Sequence, residues 1–184
     1  HVEHFSEIIT SIKNNTGITD NNILDKLLSY SDLIHSENRK YNLTGHKTVE
    51  DIISSLIIGS LKSVDFSGVP RGTSIADMGT GAGIPGIPLA IRYPQLNFIL
   101  FDSTAKKIKF IEMVVENLDL INVKCVCSRI EDVAKNEQYR EVFGLVVSRA
   151  MSDIYMAGEL SSQFIKVNGY LYLYISERQK QIDE

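Results

Sequence analysis

The hydrophobic positions of this chain change their spacing near residue 69. Up to that point they recur every three or four residues, which is the spacing of one face of a helix. The apolar face of one such helix consists of Ile23, Leu24, Leu27, Leu28, Ser31 and Ile34. The pattern predicts helices over Val2–Asn14, Asn21–Asn38 and Val49–Leu61, with Thr19 or Asp20 capping the second. We therefore expect residues 1–68 to form an N-terminal helical appendage.

From residue 69 onward, short apolar runs alternate with segments of helical spacing. The predicted strands are Ser74–Met78, Asn97–Phe101, Val123–Val126, Leu145–Ser148 and Tyr170–Ile175. The predicted helices are Pro85–Arg92, Ala105–Leu118 and Ile154–Ile165. Such alternation is typical of an α/β fold with a mostly parallel sheet and helices on both faces. Residues 69–184 are expected to form this core, with the charged segment Glu177–Glu184 frayed at its end.

A glycine-rich turn follows the first predicted strand. Gly79, Gly81 and Gly83 permit backbone angles and close approaches that a side chain would forbid, and Pro85 suits the first turn of a helix. A strand, a glycine turn and a helix start together form a cradle for a nucleotide-like ligand. Asp77 places a carboxylate two residues before Gly79, where it would repel a diphosphate but accept an ammonium or hydroxyl group. This favours S-adenosylmethionine over a dinucleotide.

The same turn leaves a second class of protein open. Gly81 to Gly86 matches the dinucleotide fingerprint G-x-G-x-x-G, which would indicate a nicotinamide-dependent oxidoreductase. Asp102 ends the second predicted strand, where a carboxylate can accept hydrogen bonds from ribose hydroxyls of either cofactor. The structural alternative is that the glycines only make a tight turn and Asp102 caps the helix that begins near Ala105.

Two further strand ends carry candidate site residues. Ser128, Arg129, Ile130 and Glu131 follow the third strand and could hold an adenine, with Ile130 against the ring. The alternative there is a capping box between Ser128 and Glu131. Arg149 ends the fourth strand and could meet a carboxylate, a phosphate or a base edge, or could form a structural ion pair instead.

Composition and charge narrow the class of protein. Hydrophobic residues make up 43% of the chain, yet no apolar run is long enough to span a bilayer. The formal net charge is −4, so a nucleic-acid site has to be a local basic patch. Cys125 and Cys127 are expected to be reduced thiols of a cytoplasmic protein, and the four histidines lack the spacing of metal ligands. We expect no metal site and no membrane association.

Several motifs together resemble the bacterial 16S ribosomal RNA methyltransferase G family, also called glucose-inhibited division protein B. They are Tyr41–Thr44, Asp77–Ala90, Asp102–Ser103, Ser128–Glu131, Ser148–Ala150 and Lys166–Tyr170. The resemblance implies a Rossmann-like S-adenosylmethionine-dependent methyltransferase fold and an enzyme that methylates N7 of a guanine in 16S ribosomal RNA. It implies cofactor contacts at Gly79, Ile84, Ile130, Glu131 and Arg149, and a functional role for Arg129.

The residues and the resemblance together give one set of expected sites. The expected cofactor contacts are Asp77, Gly79, Gly81, Gly83, Ile84, Asp102, Ser103, Ile130, Glu131 and Arg149. The expected catalytic residues are Arg149 and Arg129, and Arg39, Lys40 and Asn42 are expected to bind RNA. The expected partner is 16S ribosomal RNA in the small ribosomal subunit, met by a monomer.

The chain departs from the family pattern at a few positions. Members usually carry Lys-His before an apolar pair and then Asp-Ser-Leu, and the aligned residues here are Ser55, Leu56, Gly59, Ser60 and Leu61. Ile175 stands where the family has a Lys. These departures leave open a non-catalytic adenosylmethionine-binding module associated with the ribosome.

Overall fold

Five parallel strands form the sheet in the described part of the chain. The structure is a computed structural model that describes residues 2–149 and 154–175. Its strands are β1 (Ser74–Met78), β2 (Asn97–Asp102), β3 (Val123–Cys127), β4 (Phe143–Arg149) and β5 (Ile165–Tyr174). They lie in the order β3-β2-β1-β4-β5, and every neighbouring pair is parallel. This confirms the predicted α/β class, while the expectation for Glu177–Glu184 lies outside the described residues.

Helices precede the sheet and connect its strands. They are α1 (Val2–Thr16), α2 (Asn21–Asn38), α3 (Val49–Asp51), a π-helix (Ile52–Ile58), α4 (Gly59–Leu61), α5 (Gly86–Arg92), α6 (Ala105–Asn117), α7 (Ile130–Lys135), α8 (Ile154–Ser162) and a 3₁₀ turn (Glu137–Tyr139). Asp20 caps α2 by accepting hydrogen bonds from the amides of Asn22 and Ile23. Within the described ranges, none of the helices is both long and apolar enough to cross a membrane.

The third predicted helix has an unexpected centre. Its outer bounds, Val49 and Leu61, are as predicted, but Ile52–Ile58 is a π-helix instead of an α-helix. Its buried residues are Ile52, Ile53, Leu56, Ile57 and Ile58. Hydrogen bonds in a π-helix span five residues instead of four, and such segments are frequent at functional sites. Two carbonyls of this π-helix become important at the site.

The last predicted helix and strand have the wrong boundary. α8 ends at Ser162 instead of Ile165, and β5 begins at Ile165 instead of Tyr170. The fully buried Phe164 explains the early strand, because its carbonyl accepts hydrogen bonds from the amides of Val142 and Phe143 at 3.0 Å each. A register shift between Phe143 and Leu145 then accommodates the extra residues of β5. Tertiary packing thus decides the boundary.

The two faces of the sheet have separate cores. On one face, Ile75 and Leu100 of the sheet share a buried cluster with Leu27, Ile34 and Ile57 from the N-terminal helices. The opposite face buries Met78, Phe101, Phe143, Val146 and Phe164. The N-terminal helices therefore belong, together with α5 and α6, to one of the two layers that cover the sheet. A domain boundary between residues 68 and 69 stays an expectation.

Candidate functional site

A cavity of about 480 Å³ lies beyond the carboxyl ends of four strands. Open parallel sheets bind ligands at this edge, near the point where the strand order reverses. The sheet reverses at β1, which has β2 on one side and β4 on the other. The cavity is lined by Gly79, Asp102, Ser103, Thr104, Lys107, Ser128, Arg129, Ile130, Glu131, Arg149 and Leu160.

The turn after β1 presents bare backbone to this cavity. Gly79 and Gly81 have φ angles of +73° and +63°, which L side chains rarely adopt. A Cβ atom on Gly79 would meet no heavy atom within 4 Å, and one on Gly81 would meet only the Gly79 carbonyl at 4.0 Å. Both residues therefore border open space that a side chain would fill, but only Gly79 lines the cavity, and a cofactor contact of Gly81 stays a prediction. This is the geometry of a cradle for a ligand that approaches the main chain closely.

Gly83 and Ile84 lie on the other side of the turn. A Cβ atom on Gly83 would come within 2.6 Å of Ile87 Cγ1 and 3.1 Å of the Tyr30 hydroxyl. Ile84 is buried in the main core. Gly83 is therefore required by close packing against α2 and α5. The structure does not bring Gly83 or Ile84 to the cavity wall, and a cofactor contact for either stays a prediction.

The carboxylate of Asp77 faces the loop instead of the cavity. It is fully buried, and its Oδ2 accepts hydrogen bonds from Thr80 Oγ1 at 2.6 Å and from the Gly86 amide at 2.8 Å. Its Oδ1 has no partner among the described residues. Burial, the largest cause, raises the pKa of Asp77 to about 7. Asp77 therefore joins the two ends of the glycine turn, and its contact with a ligand stays a prediction.

Asp102 connects the glycine turn to α6 at the cavity wall. Its Oδ2 accepts a hydrogen bond from the Gly81 amide at 3.0 Å, and its Oδ1 accepts one from the Thr104 amide at 2.8 Å. Lys107 Nζ lies 3.6 Å from Oδ2. The carboxylate therefore binds the amide of Thr104, the N-cap residue of α6, and lines the cavity at the same time. Each carboxylate oxygen can still accept a further hydrogen bond from a ligand.

The segment after β3 does not form the capping box that the sequence offered as an alternative. Arg129 is the N-cap of α7 and makes no side-chain capping bond. Ser128 Oγ donates to the Arg129 carbonyl at 3.3 Å instead of capping the helix. Ser128, Arg129, Ile130 and Glu131 all line the cavity. These side chains are free to meet a ligand because the helix does not use them.

Arg149 reaches from the end of β4 to the π-helix. Its Nη2 donates to the Ser55 carbonyl at 2.9 Å and its Nη1 to the Leu56 carbonyl at 3.5 Å. A Cβ atom on Gly59 would lie 3.8 Å from Nη1, so the guanidinium passes close beside this glycine. Burial, the largest cause, lowers the pKa of Arg149. Within the described part of the chain, the partners of this guanidinium are carbonyls and not a carboxylate. They fix one edge of the planar guanidinium group.

The three residues expected to bind RNA lie outside the cavity lining. Arg39 and Lys40 are exposed just after α2, and Lys40 Nζ lies 2.8 Å from Glu37 Oε2. Asn42 Oδ1 accepts a hydrogen bond from Lys47 Nζ at 2.9 Å. They belong to one short polar segment, and their contact with RNA stays a prediction.

Sequence reasoning missed several residues of the site. Thr104 and Lys107 line the cavity, and their position just after Asp102 was the available signal. Leu160 comes from the last turn of α8, and no motif marks it. Tyr30 lies behind the turn, where its hydroxyl donates to the Ala82 carbonyl at 2.8 Å. No group of three or more potential metal ligands occurs among the residues that the structure describes.

The fold and site define the class of protein. A parallel sheet in the order β3-β2-β1-β4-β5, a glycine turn after β1 and a carboxylate after β2 are the features of a Rossmann-like, S-adenosylmethionine-dependent methyltransferase. A family model described as rRNA small subunit methyltransferase G matches residues 23–183. The chain belongs to this family.

Individual relatives agree with the family assignment. A ribosomal RNA small subunit methyltransferase G of Clostridium tetani is 39% identical over 167 residues, which cover 90% of this chain and 70% of that protein. One of Mycoplasmoides gallisepticum is 39% identical over 162 residues, covering 86% and 66%. A structure of an S-adenosylmethionine-dependent methyltransferase from Aquifex aeolicus matches 58% of this chain and 57% of its own, with 18% identity and a TM-score of 0.46. That likeness is too remote to support an argument of its own.

Proposed function

We propose that this protein transfers a methyl group from S-adenosylmethionine to N7 of a guanine in 16S ribosomal RNA. The observation that carries the proposal is the cavity in which bare backbone at Gly79 borders the carboxylate of Asp102 and the guanidinium of Arg149. A cofactor site and a group able to orient a base thus share one space. The small ribosomal subunit is the proposed partner, met by a monomer in the cytoplasm.

The cavity residues fit the cofactor. The turn at Gly79 and Gly81 leaves room for a ligand against the main chain, and Asp102 retains acceptor capacity for ribose hydroxyls. Ser103, Ile130 and Glu131 line the neighbouring wall, where Ile130 can contact an adenine ring and Glu131 can accept from its amino group. The bound cofactor supplies an electrophilic methyl group on a positively charged sulfur.

The chain's own residues have to supply alignment more than proton transfer. Guanine N7 carries an in-plane lone pair and no proton, so its attack on a methyl group needs no general base. Holding reacting atoms in line can lower a barrier by several kcal/mol. Arg149 suits this task because Ser55 and Leu56 fix one edge of its fork, leaving other N–H groups for guanine O6 or a phosphate. Arg129, exposed on the cavity wall, is proposed as the second orienting group.

The RNA has to present the guanine outside a stacked helix. Proteins that read or modify RNA bases mostly meet them in loops, bulges and ends. We propose that Arg39, Lys40 and Asn42 contact RNA beside that base, since Arg39 and Lys40 carry positive charge on an exposed segment after α2. Their contribution is to position the strand and not to bind the cofactor.

A transfer assay tests this function directly. Small ribosomal subunits from cells that lack this protein would be incubated with it and with methyl-labelled S-adenosylmethionine, and the methylated nucleotide would be mapped by mass spectrometry. We expect one N7-methylguanine in 16S ribosomal RNA. Methylation at another atom would exclude the N7 assignment.

Two further outcomes address the alternatives. Cofactor binding in calorimetry without transfer to subunits or to free ribosomal RNA would favour a non-catalytic module. Tight binding of a nicotinamide dinucleotide in place of S-adenosylmethionine would favour an oxidoreductase.

A further inference from the structure

We propose that the lysines at the start of α6 and the polar segment Arg39–Lys47 form one surface that binds the backbone of single-stranded RNA. This basic surface consists of Arg39, Lys40, Lys47, Lys106, Lys107 and Lys109. The inference rests on the proposed function, because it assigns the path of the RNA next to the target base. It adds three lysines of a helix that is not adjacent in sequence to the segment after α2.

The contact that joins the two parts is between Tyr41 and Lys106. Lys106 Nζ lies 3.6 Å from the centroid of the Tyr41 ring, which is the geometry of a cation–π interaction. Tyr41 is partly buried against the main core. The ring therefore holds an ammonium group above the protein surface, and we assign Tyr41 the role of a positioning residue.

The polar segment is held in place by its own hydrogen bonds. Asn38 Nδ2 donates to the His46 carbonyl at 2.6 Å, and Asn38 Oδ1 accepts from the Thr44 amide at 2.8 Å. Lys47 Nζ donates to Asn42 Oδ1 at 2.9 Å. Asn38 thus braces the segment across eight residues. An ordered segment loses less conformational entropy on binding than a flexible one would.

Helix stability does not explain the lysines of α6. The N-terminus of a helix carries partial positive charge, so cations in its first turns are unfavourable and carboxylates are favourable. α6 has no acidic residue in its first turn, and its first acidic residue is Glu112. Lys106, Lys107 and Lys109 all precede it. A local preference that is broken in this way is typical of a functional surface.

The basic surface continues into the cofactor cavity. Lys107 lines the cavity, 3.6 Å from Asp102, and Lys106 is its neighbour in the chain. A strand lying across Lys106 would therefore deliver an adjacent nucleotide to the cavity. Of the six cations, Lys40 is ion-paired with Glu37 and Lys107 with Asp102, and the other four have no carboxylate partner among the described residues. A polyanion with its phosphates a few ångströms apart is the occupant that such a row of cations fits.

Salt-dependent binding of a labelled RNA tests the surface. The probe is a fluorescein-labelled, 20-nucleotide single-stranded RNA of mixed sequence, with anisotropy measured over a salt series. The Lys106→Ala/Lys109→Ala variant should weaken binding by roughly tenfold, and should reduce the slope of log Kd against log salt by about 1.4.

A matched control removes the same charge elsewhere. Lys13→Ala/Lys26→Ala alters lysines near the junction of α1 and α2, and Lys26 lies roughly 18 Å along α2 from Asn38. The control should leave the salt slope unchanged. Cofactor affinity, measured by calorimetry, should be unchanged in both variants.

The role of Tyr41 has its own readout. Tyr41→Leu keeps the charge of the surface but loses the aromatic ring. We therefore expect a higher Kd for the RNA with an unchanged slope of log Kd against log salt. Tyr41→Phe keeps the ring and should restore wild-type affinity. A changed slope would indicate a purely electrostatic contribution. A lower unfolding midpoint in Tyr41→Leu, with normal RNA affinity of its folded fraction, would indicate a purely structural one.

Each remaining outcome decides the inference. An unchanged slope in Lys106→Ala/Lys109→Ala would overturn the basic surface and leave the proposed function standing if methyl transfer persists. Absence of salt-dependent RNA binding by the wild-type protein would overturn the inference, and absence of transfer would overturn the proposed function as well. Weaker binding to small subunits with unchanged binding to RNA would assign the surface to a ribosomal protein instead.

Discussion

Glycines of one short turn serve two different purposes. Gly79 borders open space at the cavity, whereas Gly83 is packed against Ile87 and Tyr30. The sequence pattern treats both glycines alike, because a one-letter motif does not record what lies opposite a missing Cβ. A glycine that faces a ligand is distinguished from a glycine needed for close packing only by the residues that surround it in the fold.

Replacement of Gly79 tests the ligand-facing role. Gly79→Ala should lower S-adenosylmethionine affinity by at least tenfold in calorimetry, because its Cβ enters space that the ligand needs. Gly72→Ala is the matched control, since Gly72 also has a positive φ (+79°) with nothing within 4 Å of a Cβ, but precedes β1. Both variants should lose similar stability, on the order of 1 kcal/mol. Equal affinity in the two variants would contradict the cradle.

Asp77 makes the stability of the protein depend on pH. Burial raises its pKa from 3.8 to about 7, so the folded protein binds a proton that the unfolded chain has released between those values. The stability due to neutral Asp77 is therefore fully present below pH 4 and is lost as pH rises through 7. The size of this loss is about 4 kcal/mol.

The Asp77→Asn variant isolates this contribution. Asn does not ionise, so the free energy of unfolding of the variant should lack this loss. The difference between wild type and variant should therefore change by about 4 kcal/mol between pH 4 and pH 8 in urea titrations. A difference that stays constant over this range would show that Asp77 is ionised throughout.

At the scale of secondary-structure elements, the π-helix and β4 depend on each other through Arg149. The carbonyls of Ser55 and Leu56 accept from its guanidinium, and Tyr174 of β5 donates to the Ser60 carbonyl at 2.8 Å. Backbone carbonyls of the segment from the π-helix to α4 thus accept hydrogen bonds from side chains of β4 and β5. A change in this segment would be transmitted to the cavity through Arg149.

Arg149→Lys separates orientation from stability. An ammonium group cannot bridge two carbonyls and still present a planar fork to the cavity. The variant should remain folded and lose single-turnover methyl transfer by on the order of 10²-fold. Arg71→Lys, in the loop before β1, is the matched control and should transfer normally. Early unfolding of Arg149→Lys, with normal transfer by the folded fraction, would make Arg149 a structural residue.

The sequence predicts some of these elements well and others poorly for physical reasons. The bounds of α2 and β1 match because local periodicity determines both. The rule that ligands bind beyond strand ends is enough to predict that Gly79, Asp102 and Arg149 share one site, and all three line the cavity. The π-helix and the start of β5 are not predicted. The spacing of hydrophobic residues does not distinguish a π-helix from an α-helix, and it does not show that Phe164 is buried.

At the scale of the whole molecule, the N-terminal helices and the sheet share one buried cluster. Leu27 and Ile34 of α2 belong to it together with Ile75 and Leu100 of the sheet. The Tyr30 hydroxyl adds a hydrogen bond from α2 to the glycine turn, 52 residues away in the chain. The helices therefore support the site directly, although they lie outside the α/β core.

Hydrogen exchange should detect this shared core. The slowest amides of α2, around Leu27 to Ser31, should open with the same free energy as those of β1, because neither layer can lose the other without exposing the cluster. The measurement is native-state exchange over a denaturant series. Separate, lower-energy opening of α2 would support an independently folding appendage with a boundary near residue 68.

The stacking of Lys106 on Tyr41 has a spectroscopic consequence. Protons held above an aromatic face are shielded by the ring current, so the ε-methylene resonances of Lys106 should be displaced upfield of those of other lysines. A phosphate that draws the ammonium away from the ring would return them toward ordinary shifts. The chemical shift of the Lys106 ε-methylene protons therefore reports whether a phosphate occupies the surface around this side chain.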